Sequence, residues 1–222
     1  MTVNIAVLVS GGGTNLRALL GADNPYGRIT LVVGSKAGIG ALNIAQAAGV
    51  ETVVVSRKEL GDSFAATLIE VLTSHDIGLV VLAGYLTILP PELIAAFDHR
   101  IINIHPALLP SFGGQGFYGL RVHEAALARG VKVTGATVHF VNEIPDGGDI
   151  IAQRAVDVLL GDTPETLQRR VMEQAEWVIL PEAVSEVCQM IEDHPTKFPS
   201  LGGVAVAKRL TGCSKGNQER TK

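Results

Sequence analysis

Cysteine is nearly absent: Cys188 and Cys213 are the only two in 222 residues, and they form no Cys-x-x-Cys pair. Their scarcity argues against a disulfide framework and against a cysteine-based zinc site. The plain reading is one buried thiol and one in a tail. Basic excess is lacking as well. Lys and Arg number 18 against 22 Asp and Glu, a formal net charge of −4. The chain therefore lacks the positive surface of a dedicated nucleic-acid binder, and recognition of phosphate has to be local. No apolar run is long enough to span a membrane. Met1 to Ser10 has neither the basic flank nor the cleavage-type end of a secretion signal. It reads as a first strand, and the cytoplasm is the expected location.

What is present suits a substantial core: 47% of the residues are apolar. Val3–Val9, Ile29–Val33, Glu51–Val55 and Leu79–Leu82 are short runs rich in Val, Ile and Leu. Near-continuous apolar runs of this kind suit parallel strands covered on both faces. Helical spacing lies between them, near Thr14–Leu20, Gly40–Ala48 and Asp62–Ser74. This alternation predicts an α/β fold with a doubly wound, mostly parallel sheet. Arg100–Ile104 reads as a further strand, and His123–Arg129 as a helix. Lys132–Val141 and Asp149–Val158 read as an antiparallel hairpin around Asn142–Gly148. Thr163–Ile191 reads as helix, with Asp162 or Thr163 as N-cap, Pro164 near N1 and a break at Pro181. One domain is expected over residues 1–192. The Pro-, Gly-, Lys- and Ser-rich stretch 193–222 is expected to be a partly disordered tail.

Ser10-Gly11-Gly12-Gly13-Thr14-Asn15-Leu16 joins the first strand to the first helix. Glycines let the backbone approach a ligand closely, and the helix start offers unpaired N–H groups to an anion. Thr14 and Asn15 add side-chain donors. The dinucleotide fingerprint fails, because Leu16 stands where its third glycine belongs. Gly34 and Ser35 stand where its ribose-binding acid belongs. No Gly-Lys-Ser/Thr follows, so the Walker pattern fails too. A monophosphate fits better than a dinucleotide.

Asn103 and His105 lie two apart on the strand Arg100–Ile104 and its exit, so they project to one face near its C-terminal end. Open α/β sheets bind their ligands at that end. A polar Asn-x-His pair in an apolar strand needs partners, since unpaired buried groups are costly. Asp146 precedes Gly147 and Gly148 in a turn, a place where a short acidic residue is either structural or catalytic. His139, on the preceding strand, either supports the site or packs.

The loop SGGGTNL, the segment LAGYLTIL (Leu82–Leu89), NIHPALLP (Asn103–Pro110) and GATVHFVNEIPDGGDII (Gly135–Ile151) resemble, in order, the phosphoribosylglycinamide formyltransferases. The resemblance runs over nearly the whole chain up to Pro181. It implies a Rossmann-type N-terminal half with an antiparallel C-terminal extension. The implied activity moves the formyl group of 10-formyltetrahydrofolate to the amine of glycinamide ribonucleotide, in purine synthesis, through a tetrahedral intermediate. Asn103, His105 and Asp146 take the positions of the catalytic trio. Gly13, Thr14, Asn15 and Glu176 take those of ribonucleotide contacts. Leu86, Thr87, Ile88, Leu89, Asn103, Asn142, Glu143, Ile144 and Pro145 take those of folate contacts. Residues 1–100 would form the phosphate-binding half and 101–192 the catalytic and folate-binding half. The resemblance implies no metal, no nucleic acid or membrane partner, and a monomer or homodimer. In chemical terms, His105 and the Asn103 amide can donate hydrogen bonds to the oxyanion. Asp146 would favour the protonated imidazole and raise its pKa.

The chain departs from the family pattern at Thr87 and Gly61, where arginine is frequent, at Trp177, where histidine is frequent, and in the longer loop Gly113–Gly119. Two sister activities count against themselves on length. A methionyl-tRNA formyltransferase would need an additional C-terminal domain, and a formyltetrahydrofolate hydrolase an additional N-terminal one. An NAD(P)-dependent oxidoreductase rests on the glycine loop alone. A catalytically silent nucleotide binder would not need the trio.

Overall fold

The computed structural model describes residues 2–194. Seven strands form one sheet in the order β3-β2-β1-β4-β5-β6-β7. They are β1 (Val3–Val9), β2 (Gly27–Gly34), β3 (Glu51–Val54), β4 (Leu79–Leu82), β5 (Ile101–His105), β6 (Val133–Phe140) and β7 (Ile150–Asp157). Neighbours among the first five pair in parallel, whereas β6 runs antiparallel to both β5 and β7. The expected doubly wound sheet and its antiparallel extension are both present.

Side-chain alternation divides the core into two layers. Val3, Ile5, Val7 and Val9 of β1 lie on the side of the sheet covered by α1 (Thr14–Gly21), α2 (Gly40–Ala47), α7 (Pro164–Val171) and α8 (Trp177–Asp193), in one core cluster with Leu16, Leu42, Leu167 and Leu180. Ala6 and Leu8 face the other way, toward Phe64, Leu68 and Leu72 of α4 (Phe64–Ser74) and Leu93 of α5 (Pro91–Ala96). The stripe 64, 68, 72 is what a helix covering a sheet requires. Each leucine buried this fully contributes about 1.5–3 kcal/mol. Because both faces are covered, the exposed ends of the strands are where ligands can reach. The order reverses between β1 and β4, so the loops leaving these two strands diverge and open a crevice at their C-terminal ends.

Most sequence-derived elements lie within two residues of their expected positions. Thr163 is the N-cap of α7, its hydroxyl accepting from Thr166 N–H while the Thr166 hydroxyl takes the Thr163 N–H, and Pro164 occupies the first turn. The short α3 (Arg57–Leu60) escaped the periodicity argument, since one turn carries no period. So did α5, whose six residues are too few. The expected break at Pro181 does not occur: α8 runs through it to Asp193. The irregularity lies upstream, in a π turn over Met172–Glu176. Proline's ring crowds the carbonyl four residues earlier. That carbonyl belongs to Trp177, whose ψ of −9° tilts it off the helical line and makes room. Helix also occupies Asp193, the first residue of the expected tail. Residues 195–222, with Cys213, lie outside the described residues.

Candidate active site

β5 delivers Asn103 and His105 to the crevice, and β6 delivers His139. Asn103 stands opposite His139 and His105 opposite Thr137 in the antiparallel register. Asn103 Nδ2 lies 3.2 Å from His139 Nε2, and His139 Nδ1 lies 2.7 Å from the Phe140 carbonyl. In the neutral ring Nδ1–H donates to that carbonyl, leaving Nε2 to accept from the Asn103 amide. The amide has two hydrogens, so one remains for another acceptor.

Asp146 reaches the same cluster from the turn between β6 and β7. Its Oδ2 is 3.4 Å from His105 Nδ1 and its Oδ1 is 3.6 Å from His139 Nε2. Gly114 N–H donates to Oδ2 at 2.8 Å. Asp146 has a left-handed backbone, φ 55°, a conformation to which aspartate is better suited than most residues. Gly148 allows the turn to close against β6, because a Cβ there would fall on the Phe140 carbonyl.

Burial and charge oppose each other here. Burial pushes the Asp146 carboxyl upward, but the neighbouring His139 ring, the His105 charge and the Gly114 N–H together hold it below the usual carboxylate value. For His105 the balance falls the other way. Burial, at 4% exposure, lowers its pKa; Asp146 and the Phe112 carbonyl raise it but do not win. The sequence-based expectation of a raised His105 pKa is therefore corrected: desolvation outweighs the carboxylate. The His105 Nε2–H meanwhile donates to Phe112 O at 2.8 Å.

Around this cluster the loop after β5 is held by Thr137. Its hydroxyl donates to Ala107 O at 2.7 Å and accepts from Leu109 N–H at 3.0 Å and from the Gln153 amide at 3.0 Å. Sequence reasoning missed Thr137, although it lies two residues before His139 and so on the same strand face.

It also missed His123, on α6 (Leu120–Arg129). The ring is fully buried and neither nitrogen has a hydrogen-bond partner. Burial, with a smaller contribution from the charge of nearby His105, depresses its pKa from 6.5 to about 4. Protonation is thus penalised in the folded chain. The stability that comes from the neutral ring is complete above pH 6.5 and is lost as pH falls toward about 4. Urea unfolding at pH 7 and at pH 4 should show the loss, with His123 responsible for roughly 3 kcal/mol of it. His105, also depressed, adds in the same direction. His123→Leu should flatten the dependence. A variant as acid-sensitive as the parent would contradict the assignment.

The glycine loop lies across the crevice. Gly13 caps α1 with φ 83° and no side-chain cap. A Cβ at this position would also strike Ala41 of α2. The first N–H groups of α1 are thus left to an incoming ligand. The neighbouring side chains turn elsewhere. Thr14 Oγ1 rests 3.9 Å from Met172 Sδ, and Asn15 Nδ2 donates to Glu176 Oε2 at 2.7 Å. Glu176 is buried, and burial raises its pKa despite the Asn15 hydrogen bond. The π turn carries both Met172 and Glu176, which fits the habit of π turns to occur at functional sites.

The apolar segments form an open rim. Leu86, Ile88 and Ile144 are 62, 67 and 66% exposed, apolar surface available to a ligand. Leu89 instead turns its side chain into the core. Asn142 Oδ1 accepts from Ile144 N–H at 2.9 Å and Nδ2 donates to Gly147 O at 3.2 Å, which shapes the turn that holds Glu143 and Pro145. Among the described residues no group of three His, Cys, Asp or Glu could hold a metal ion, and no helix is long and apolar enough to cross a membrane.

Residues 3–184 match the model of a family described as formyl transferase. The chain is 42% identical over 191 residues to the chloroplastic phosphoribosylglycinamide formyltransferase of Arabidopsis thaliana, covering 83% of this chain and 65% of that protein. It therefore spans just under two thirds of that relative's length. Against the phosphoribosylglycinamide formyltransferase of Escherichia coli (strain K12) the identity is 35% over 188 residues, 82% of this chain and 86% of the other. The crystal structure of phosphoribosylglycinamide formyltransferase from Anaplasma phagocytophilum aligns with a TM-score of 0.78 at 42% identity, covering 85% of this chain and 88% of that one.

Proposed function

Since the chain belongs to the formyl transferase family over residues 3–184, we propose that it transfers the formyl group of 10-formyltetrahydrofolate to the amine of glycinamide ribonucleotide. The observation that carries this reading is the cluster of Asn103, His139, His105 and Asp146, tied together by contacts of 3.2–3.6 Å at the end of β5. The relatives named for this activity support the choice of acceptor.

In the proposed reaction the acceptor amine attacks the formyl carbon, and the carbonyl electron pair moves onto oxygen. The free hydrogen of the Asn103 amide binds that oxyanion, joined by the His105 Nε2–H once it exchanges the Phe112 carbonyl for the oxyanion. One such donor is typically worth about 10²–10³ in rate. As the bond from carbon to the folate N10 breaks, its electron pair stays on nitrogen, which takes up a proton. The attacking amine loses one. Asp146 lies 3.4 Å from His105 and relays protons between the two. A ring with its pKa lowered by burial yet facing a carboxylate can give and regain a proton without a large penalty either way.

The unpaired N–H groups of Gly13, Thr14 and Asn15 hold the ribonucleotide phosphate, helped by the helix dipole. Asn15 fixes Glu176 through its side chain, and Glu176 receives the glycinamide end. The rim of Leu86, Thr87, Ile88 and Leu89, with the turn Asn142–Pro145, receives the folate ring system, Leu89 through its backbone. In this reading residues 1–100 provide the phosphate site and residues 101–192 the catalytic groups.

The test is deformylation of 10-formyl-5,8-dideazafolate, followed by absorbance with and without glycinamide ribonucleotide. Release should require the ribonucleotide. Equal release without it would replace the transferase reading with hydrolysis, and no release under either condition would remove the catalytic reading altogether.

A further inference from the structure

Ser10 has no role in the account so far, yet its hydroxyl joins three strand ends. It follows β1 and immediately precedes Gly11. Ser35, which follows β2, donates its hydroxyl hydrogen to Ser10 Oγ at 2.9 Å. Leu86, in the loop after β4, donates its backbone N–H to the same oxygen at 3.0 Å. Both lone pairs of one oxygen are thus engaged by separate loops. The sheet order explains the convergence, because β1 lies between β2 and β4 where the strand order reverses.

Each loop has a second tie close by. Ala41 N–H donates to Gly11 O at 3.1 Å, linking the glycine loop to α2. Arg57 Nη1 donates to Ile88 O at 3.0 Å, fixing the far end of the exposed segment that begins at Leu86. Ser10 is the near-end tie, joining that segment to the residue that leads from β1 into the glycine loop.

We propose that Ser10 is a positioning residue that couples the two substrate loops, so that a ribonucleotide phosphate on Gly13–Asn15 strengthens folate binding at Leu86–Leu89, and the reverse. The inference rests on the functional reading above. Ordering the glycine loop around a phosphate fixes Ser10 Oγ, which then holds the Leu86 amide in its bound position before the folate arrives. The entropy of ordering that segment is spent once instead of twice. Linkage makes the effect reciprocal. Ser10 need touch neither reacting atom.

The experiment uses a pair of ligands that cannot react: glycinamide ribonucleotide and 5,8-dideazafolate without its formyl group. Dissociation constants are measured for each alone and in the presence of the other. In the parent, each ligand should tighten the other by about fivefold or more. Ser10→Ala should bring that factor to within about twofold of unity while the separate affinities change less. Ser10→Thr, which keeps the hydroxyl, should retain the coupling. An independent readout needs no variant: hydrogen exchange at the Leu86 amide should slow when the ribonucleotide alone binds. Full coupling in Ser10→Ala, or Leu86 exchange indifferent to the ribonucleotide, would overturn the proposal. A parent that binds both ligands with no mutual effect would overturn it while leaving the functional reading intact. A parent that binds neither ligand would overturn that reading first and this inference with it.

Discussion

Replacing His105 with alanine lowers kcat by about 10³- to 10⁴-fold, and Asp146→Ala produces a loss of similar size. The two residues face each other at 3.4 Å, so they act as one unit. The double variant should therefore be only slightly worse than either single one. The folded state should survive both changes. His105→Ala removes one buried ring and leaves the Phe112 carbonyl without its donor, a defect of about 1–3 kcal/mol. That is tolerable in a domain with two well-filled core layers. Circular dichroism establishes the fold, and steady-state kinetics with saturating glycinamide ribonucleotide give kcat. A variant with near-parental kcat would remove that residue from the mechanism, whatever its distance from the other.

The second large effect is one of architecture. Gly148→Ala should destabilise the protein by about 3 kcal/mol or more and depress activity beyond what the unfolded fraction explains. The added methyl would collide with the Phe140 carbonyl oxygen, a backbone atom with no freedom to move aside. That same oxygen accepts from His139 Nδ1 at 2.7 Å, and His139 in turn receives the Asn103 amide. The collision therefore reaches the turn bearing Asp146 and the ring supporting Asn103 at once. Thermal unfolding gives the stability loss, and kcat below the melting transition isolates the catalytic part. Ala at Gly114, where φ is 89° but the Cβ position is open, makes the comparison: backbone strain without collision, at a cost of about 1–2 kcal/mol. Equal behaviour of the two variants would mean that the close approach at Gly148 has no special weight.

Much of this was legible in the residues. The runs of Val, Ile and Leu marked β1 and β4 because strands covered on both faces leave no room for polar positions. Asn103 and His105 stood out because amide and imidazole are expensive in such a strand. Asp146 needed the structure, or a resemblance, since a single acidic residue before two glycines suits many turns. Other features were hidden because they depend on register and long-range packing. Nothing local predicts that His139 faces Asn103, or that Asn15 spends its amide on Glu176 161 positions away. The persistence of α8 through Pro181 depends on a tilt of one carbonyl at the π turn. The sign of the His105 shift also depended on how deeply the ring is buried, which the spacing of residues does not encode.

The most direct test of the central claim is the fate of the transferred carbon. The protein would be given donor folate labelled with ¹³C in the formyl group, together with glycinamide ribonucleotide, and the products identified by mass spectrometry. The account predicts that the label appears on the ribonucleotide amine as an N-formyl group, in step with donor consumed. Label recovered only as free formate, with the ribonucleotide unchanged, would contradict it.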